Sequence, residues 1–452
     1  MAASHFQVEG YPAEIDSRLS DWALWTTRSG KIADGSNADR ACEFSSRFLE
    51  DIALVKQLNL NSYRTSLNWP ALLPDRPGPG KRKLNSQAVQ YYKRLFFTLK
   101  EEGITTFLTL FHFCLPTWIA DDGGWTGRMA ADEFAYFSEL AAGQFGEYVD
   151  YWITINEPVA YAYQSFVSGL WPPGTSRNYD GAFATVRYML EGHARAYQAI
   201  KEQSADTPVS FSNHWRPFFP ENPLNPLDQM VIYFRDNIFN HIFPRSIEAG
   251  GLELPAVVAR LGDLKRLNGE IAGLKGSMDY LAVNYYTREL SRFVFGWPVD
   301  PFGIKSSKAD FDTNSLGWET YPQGLFDVLT RAIAPYKTGI DGKSRPVIIT
   351  ENGYAETYAA DLSEGDWSIA DKQRTAYLKL HLQSLHRAIM AGVNVIGYLH
   401  WSLTDNFEWA EGLSPRFGLV RVAYPTQTRT FRESARLFSQ VAKTNVLDSR
   451  EV

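Results

Sequence analysis

The feature that most restricts what this chain can fold into is a regular alternation of two periodicities. Short runs of apolar, strand-forming residues recur eight times, at 6–8, 62–66, 105–113, 151–156, 208–215, 278–287, 346–350 and 394–403. Between the first two, Phe44, Phe48, Ile52, Val55 and Leu58 follow steps of three and four, one apolar helix face that ends at Asn59-Leu60-Asn61. The same reading predicts helices over 88–102, 132–145, 182–202, 325–334 and 371–391, with 430–443 closing the chain. Strands alternating with helices run parallel, because each crossover returns the chain to the same end of the sheet. Eight such units in one chain predict an α/β fold of the closed (β/α)8 TIM-barrel type. At 452 residues two domains would be the first guess, yet no internal repeat and no low-complexity linker divides the sequence. The Pro-rich segments 73–80 and 217–226 read as barrel loops, and 288–320 as a long decorated one, so 1–452 is expected to be one domain.

Composition removes several function classes. With 44% hydrophobic and 14% aromatic residues the chain has a large core to build, which sets global disorder aside. A net charge of −6 leaves no footprint for a nucleic-acid backbone, and the run Lys81-Arg82-Lys83 sits in a Pro/Gly loop. Gly78-Pro79-Gly80-Lys81 lacks both the spacing of a phosphate-binding loop and the hydroxyl residue after the lysine. Cys42 and Cys114 are too few for a disulfide framework, which points to a reducing compartment. No zinc spacing occurs, and His381 and His386 do not share a helix face. The N-terminal MAASHFQVEG has no basic segment leading into an apolar one, and nowhere do 18 uncharged apolar residues run together, so a cytoplasmic protein with no membrane partner is expected.

In a parallel barrel the residues that close each strand converge on one mouth, and active sites sit there. Those residues are Arg64, His112, Asn156-Glu157, Asn284 with Tyr286, Glu351-Asn352, and Trp401 leading to Glu408-Trp409. Two of the carboxylates, Glu157 and Glu351, directly follow strongly apolar runs, so they project at the mouth instead of lying on outer loops. Two carboxyls at strand ends are what glycosidic cleavage needs: one gives a proton to the leaving oxygen, the other acts at the anomeric carbon. A lone buried histidine such as His112 is more often a satisfied core residue, and Tyr286 alone a packed aromatic; their shared position makes them candidates. Arg64 would keep a neighbouring carboxylate ionised, with a purely structural ion pair as the alternative. The 13 Trp and 23 Tyr suit sugar rings but also ordinary cores.

The segments Thr-Ile-Asn-Glu-Pro at 154–158, Ile-Thr-Glu-Asn-Gly at 349–353 and Asp-Asn-Phe-Glu-Trp at 405–409 resemble glycoside hydrolase family one, the β-glucosidases and β-galactosidases. Further segments at 6–10, 63–69, 284–287, 317–319 and 416–419 extend the resemblance over nearly the whole chain in the family's order. The resemblance implies that Glu157 is the acid/base and Glu351 the nucleophile, with Asn156 bonding the sugar 2-hydroxyl. It implies that Gln7, His112, Glu408 and Trp409 hold the other hydroxyls, that Trp401 stacks under the ring, and that Trp318 stands near the mouth. Arg64, Asn284 and Tyr286 match the polar set around the nucleophile. Three departures stand out. The segment before Gln7 is shorter than usual, which predicts a short first strand and an exposed edge. His112-Phe113-Cys114 replaces the common His-Trp-Asp, removing an indole donor and predicting a shift in sugar affinity or preference. The 357–371 loop is compact, and 412–416 reads Gly-Leu-Ser-Pro-Arg.

The expected activity is therefore a retaining, exo-acting β-glycosidase, a β-glucosidase that also accepts galactosides or fucosides. It would act on small β-glycosides or oligosaccharides by double displacement, with no metal or organic cofactor. The nearest rival is a 6-phospho-β-glycosidase, against which Glu408 would set a carboxylate facing a phosphate. A thioglucosidase is disfavoured because Glu157 is present. A catalytically inactive sugar-binding barrel is the alternative from another class, and the complete carboxyl pair argues against it.

Overall fold

The computed structural model describes residues 1–12, 15–76, 84–259, 263–294, 304–305, 312–357 and 367–447. The Lys81-Arg82-Lys83 run and its preceding glycines lie outside the described residues, as do much of the 288–320 loop and most of the 357–371 loop. Seven parallel strands lie side by side in chain order: Ser62–Ser66, Thr105–Phe111, Tyr151–Asn156, Val209–His214, Leu281–Asn284, Val347–Glu351 and Val395–Tyr398. Residues 1–3 close the ring. Ala2 forms parallel bridges to both Arg64 and Trp401, its N–H donates to the His400 carbonyl at 3.0 Å, and the Ala3 N–H donates to Arg64 at 2.9 Å. The fold is a (β/α)8 barrel in which the first and last of these seven strands are joined through a stretch too short to count as a strand.

That stretch corrects one expectation. Residues 6–8 form no strand; His5–Val8 is a single helical turn, buried at every position. With no exposed face there is no alternation to separate the two periods, so a short apolar run reads equally well as either. The other seven strands fall where the apolar runs predict them, trimmed at their ends, and 278–287 contracts to Leu281–Asn284.

Local chemistry explains the outer helices. Ser86–Glu101 starts where Asn85 accepts from the Gln87 N–H and buries Ala88, Tyr91, Tyr92, Leu95, Phe96 and Leu99, one stripe at helical spacing. It stops ahead of Gly103, whose φ of 65° carries the chain into the next strand. Arg128–Phe145 and Tyr179–Gln203 pack side by side beyond it. Among the described helices of eight residues or more, two were not anticipated, Pro226–Phe239 and Ile242–Ala249. The first opens with Asn225 capping Leu227 and Pro226 in the first turn, a helix start that the Pro-rich reading of 217–226 took for loop. A small sheet of Phe218–Pro220, Glu289–Arg292 and Ile304–Lys305 lies in other segments read as loop; strands this short carry no periodicity.

After the last barrel strand the chain carries Asn406, Glu408 and Trp409 on a loop held by one buried ion pair. Both oxygens of Asp405 accept from Arg432, at 2.9 Å each, and also take the Gly418 and Val422 N–H groups at 3.1 Å. Burial alone would raise the Asp405 carboxyl; the guanidinium groups of Arg432 and Arg416 outweigh it and hold the group below its ordinary range. Replacing Arg432 with Ala leaves an uncompensated charge in the interior, and the expected loss is about 3–5 kcal/mol in urea unfolding.

Candidate active site

The polar ends of six consecutive strands meet inside the barrel. Arg64, without solvent exposure, spans the centre: Nη1 donates to Glu351 Oε1 at 2.6 Å and to the Thr350 carbonyl at 3.2 Å, Nη2 to Asn156 Oδ1 at 2.7 Å, and Nε to Thr109 Oγ1 at 3.1 Å. Asn284 closes the other half. Its Nδ2 donates to Glu157 Oε1 at 2.7 Å and Asn156 Oδ1 at 3.2 Å, while its Oδ1 accepts from Ser212 and Thr350 at 2.8 and 2.7 Å. These bonds satisfy polar groups that would otherwise be costly to bury and leave few rotamers open to the carboxyls above them.

Above this layer lies a cavity of about 720 Å³. Its lining includes Glu157, Glu351, His112, Asn156, Tyr286, Trp318, Trp401, Glu408 and Trp409. Of the residues anticipated from the sequence, Gln7, Arg64 and Asn284 do not line it; they hold groups that do. The Gln7 amide donates to Glu408 Oε2 at 3.1 Å and Asn406 Oδ1 at 3.0 Å, with its own oxygen fixed by Ser4 at 2.7 Å. His112 Nε2 accepts from Asn156 Nδ2 at 3.1 Å, which leaves the ring proton on the buried Nδ1. Burial first, then the charges of Arg64 and His5, hold His112 well below its usual range.

Three residues that shape the cavity take left-handed backbone angles: Phe113 at φ 71°, Glu157 at 41° and Trp409 at 50°. Each non-glycine excursion of this kind costs of order 1–3 kcal/mol. Here they turn side chains from strand ends and loops into the same space. Phe113 packs its ring 4.7 Å from Trp171 and 5.2 Å from Trp409. The position where an indole donor is missing is thus filled by an aromatic cluster. Trp401 and Trp409 flank the His112 ring at 5.9 and 6.0 Å, and Trp318 packs on Tyr286 at 5.3 Å.

The two central carboxyls have different partners. Glu351 accepts from a permanent cation, Arg64, on one oxygen and from the Tyr286 hydroxyl on the other at 2.7 Å. Glu157 accepts from the neutral Asn284 on Oε1 and meets His214 Nδ1 at 3.1 Å on Oε2. Burial pushes Glu351 up, Arg64 opposes, and repulsion from Glu157 adds to the rise, to about 7. For Glu157 burial also raises the carboxyl, but a protonated His214, aided by its hydrogen bond and that of Asn284, more than offsets it and holds the group below its ordinary range. The pair competes for one proton. The cation beside Glu351 is permanent, whereas Glu157 contacts a neutral amide and an imidazole. Glu408, further along the wall, rises to about 8 through burial and repulsion from Glu351 and Glu157, with Gln7 opposing.

His214 was not singled out in the sequence, although the same strand-end rule applies: it is the last residue of Val209–His214. Also outside the sequence reading is the group Arg216, Glu289 and Arg235, in which one buried carboxylate is shared by two guanidiniums at 3.2 and 2.5 Å. Among the described residues no cluster of His, Cys, Asp or Glu is placed to hold a metal ion. No helix among them is long and apolar enough to cross a membrane.

Comparison with known proteins accords with this geometry. The family model described as Glycosyl hydrolase family 1 matches residues 1–447. Beta-glucosidase A of Thermotoga maritima is 33% identical over 452 residues, covering 99% of this chain and 97% of the relative. A 1,4-beta-D-glucan glucohydrolase of Thermotoga neapolitana is 33% identical over 453 residues, covering 99% and 97%. Among solved structures, the beta-glucosidase from Thermotoga maritima in complex with deoxynojirimycin superposes with a TM-score of 0.86 at 31% identity, covering 99% of this chain and 97% of that one. The chain belongs to glycosyl hydrolase family 1. It is an O-glycosyl hydrolase of the retaining β-glycosidase class.

Replacing Tyr286 with Phe removes a donor that favours ionised Glu351. The carboxyl then titrates higher, and the acid limb of the kcat/KM profile is expected to move up by about one pH unit, measured with an aryl β-glucoside.

Proposed function

We propose that this enzyme is an exo-acting β-glucosidase, tolerant of galacto- and fuco-configured sugars, that works by double displacement with Glu351 as nucleophile and Glu157 as acid/base. The observation that carries the assignment is the asymmetry of the two carboxyls. Glu351 accepts from the permanent cation Arg64 and from Tyr286, both of which favour its ionised form, while Glu157 contacts Asn284 and His214 with no permanent cation against it among the described residues; on this asymmetry we assign the donated proton to Glu157.

In the first step Glu351 attacks the anomeric carbon and Glu157 protonates the departing oxygen; in the second, Glu157 takes a proton from the water that releases the sugar. Asn156, fixed by Arg64 and bonded to His112, offers its amide to the 2-hydroxyl. His112, Glu408 and Trp409 bind the remaining hydroxyls, and Trp401 stacks beneath the ring. Gln7 acts through Glu408, whose carboxyl it orients. This polar end suits one terminal sugar. The cavity lining also includes the apolar residues Val159, Phe183 and Val186, with Trp318 packed on Tyr286, and there the leaving group would lie. The reaction draws on no metal or organic cofactor.

A free sugar is favoured over a 6-phosphorylated one. Glu408 sits on the sugar side, and the arginines that line the cavity, Arg216 and Arg235, stand near His214 and are engaged by Glu289. We also propose a single catalytic domain acting in the cytoplasm, a setting suited to the two free thiols of Cys42 and Cys114.

Azide distinguishes the two carboxyls. With an activated aryl β-glucoside, Glu351→Gly plus azide is expected to yield the α-glycosyl azide, and Glu157→Ala plus azide the β-glycosyl azide; exchange of the two products reverses the roles. Matched free and 6-phosphorylated aryl glucosides should differ at least tenfold in kcat/KM in favour of the free sugar, and the opposite preference overturns the reading of Glu408.

A further inference from the structure

His214 ends the Val209–His214 strand and is buried, with its side chain 7% exposed. Its Nδ1 lies 3.1 Å from Glu157 Oε2. Its ring is clamped edge-on between Phe239, 5.3 Å away on the Pro226–Phe239 helix, and Tyr286 at 5.9 Å. Its Nε2 is buried and has no hydrogen-bond partner among the described residues. A buried N–H without an acceptor is costlier than a bare ring lone pair, so the neutral imidazole carries its proton on Nδ1 and donates it to Glu157. The second lone-pair site on each carboxyl oxygen leaves Glu157 able to hold a proton toward the cavity while accepting from both His214 and Asn284.

We propose that His214 is a positioning residue for proton donation, its Nδ1–H fixing Oε2 of Glu157 and sharing the negative charge that Glu157 takes on when its proton leaves. This rests on reading Glu157 as the acid/base. In the step concerned, the Glu157 O–H bond breaks, its proton joins the leaving oxygen, and that oxygen keeps the electron pair of the broken C–O bond. The Nδ1–H bond stays intact; it strengthens as the carboxylate forms. The same contact then holds Glu157 as the base of the second step. A donor on the charged form makes a stronger acid, and the consequence is that Glu157 loses its proton at lower pH than it otherwise would.

Glu351 and Glu408 face Glu157 across the cavity and oppose its ionisation, and the Tyr286 hydroxyl is committed to Glu351. Arg216, two residues along, favours the ionised form but is paired with Glu289, which also binds Arg235 on the helix that carries Phe239. His214 is the member of this set in direct contact with the second oxygen of Glu157.

The test uses His214→Leu, which removes the donor, and His214→Asn, whose amide N–H stands near the former Nδ1 position. For His214→Leu the alkaline limb of kcat/KM should move up by about one pH unit. Its kcat/KM should fall roughly tenfold for a glucoside with a poorly acidic leaving group and stay level for a dinitrophenyl glucoside, which needs no acid. His214→Asn should restore the limb and most of the rate on the poor leaving group. An unmoved or lowered limb in His214→Leu overturns the proposal. So does an equal loss across leaving groups, which would make His214 a wall of the leaving-group site. Glu157→Ala is assayed alongside: if it keeps full rate on poor leaving groups, the acid/base reading itself fails, independently of His214.

Discussion

A single guanidinium organises this active site. Arg64 reaches across the barrel from one strand to three others, touching Thr109, Asn156, Thr350 and Glu351 from a position closed to solvent. A buried cation is tolerable only where acceptors surround it, and here the acceptors are the groups that must be held still for chemistry. Its charge opposes the rise that burial imposes on Glu351. Its bond to Asn156 passes that order to His112, so the ion pair, Asn156 and His112 form one connected network.

The difference between the carboxyls follows from which of their neighbours can change charge. Glu351 faces a cation that persists at every accessible pH; Glu157 faces an imidazole and an amide. The barrel supplies two geometrically similar strand ends and the partners make them chemically unequal. Left-handed backbone at Phe113, Glu157 and Trp409 shows the local cost of bringing these side chains together, a cost that buried anchors such as Asp405 with Arg432 help to offset.

Much of this was legible in advance. Strands such as Thr105–Phe111, Tyr151–Asn156 and Val347–Glu351 are visible because strands buried on both faces are rich in apolar and β-branched residues, and the helices show through their stripes. Glu157 and Glu351 stand out because a charge directly after such a strand has one place to go. The first strand was misplaced, since His5–Val8 is buried at every position and offers no period to read. The Pro226–Phe239 helix was hidden behind its proline, a residue that breaks helices inside but starts them at the first turn. His214 satisfies the same strand-end rule, but its contact with Glu157 joins residues 57 positions apart, which no local pattern pairs.

The sequence by itself determined the barrel, the family resemblance and the two candidate carboxyls, because periodicity and motif order are properties of the chain read along its length. Only the tertiary structure decided that Gln7, Arg64 and Asn284 stand behind the cavity wall, and that His214 and not a fixed cation meets Glu157. Those facts depend on side-chain distances across the barrel, between residues 57 to 401 positions apart in the chain, and no local pattern encodes them.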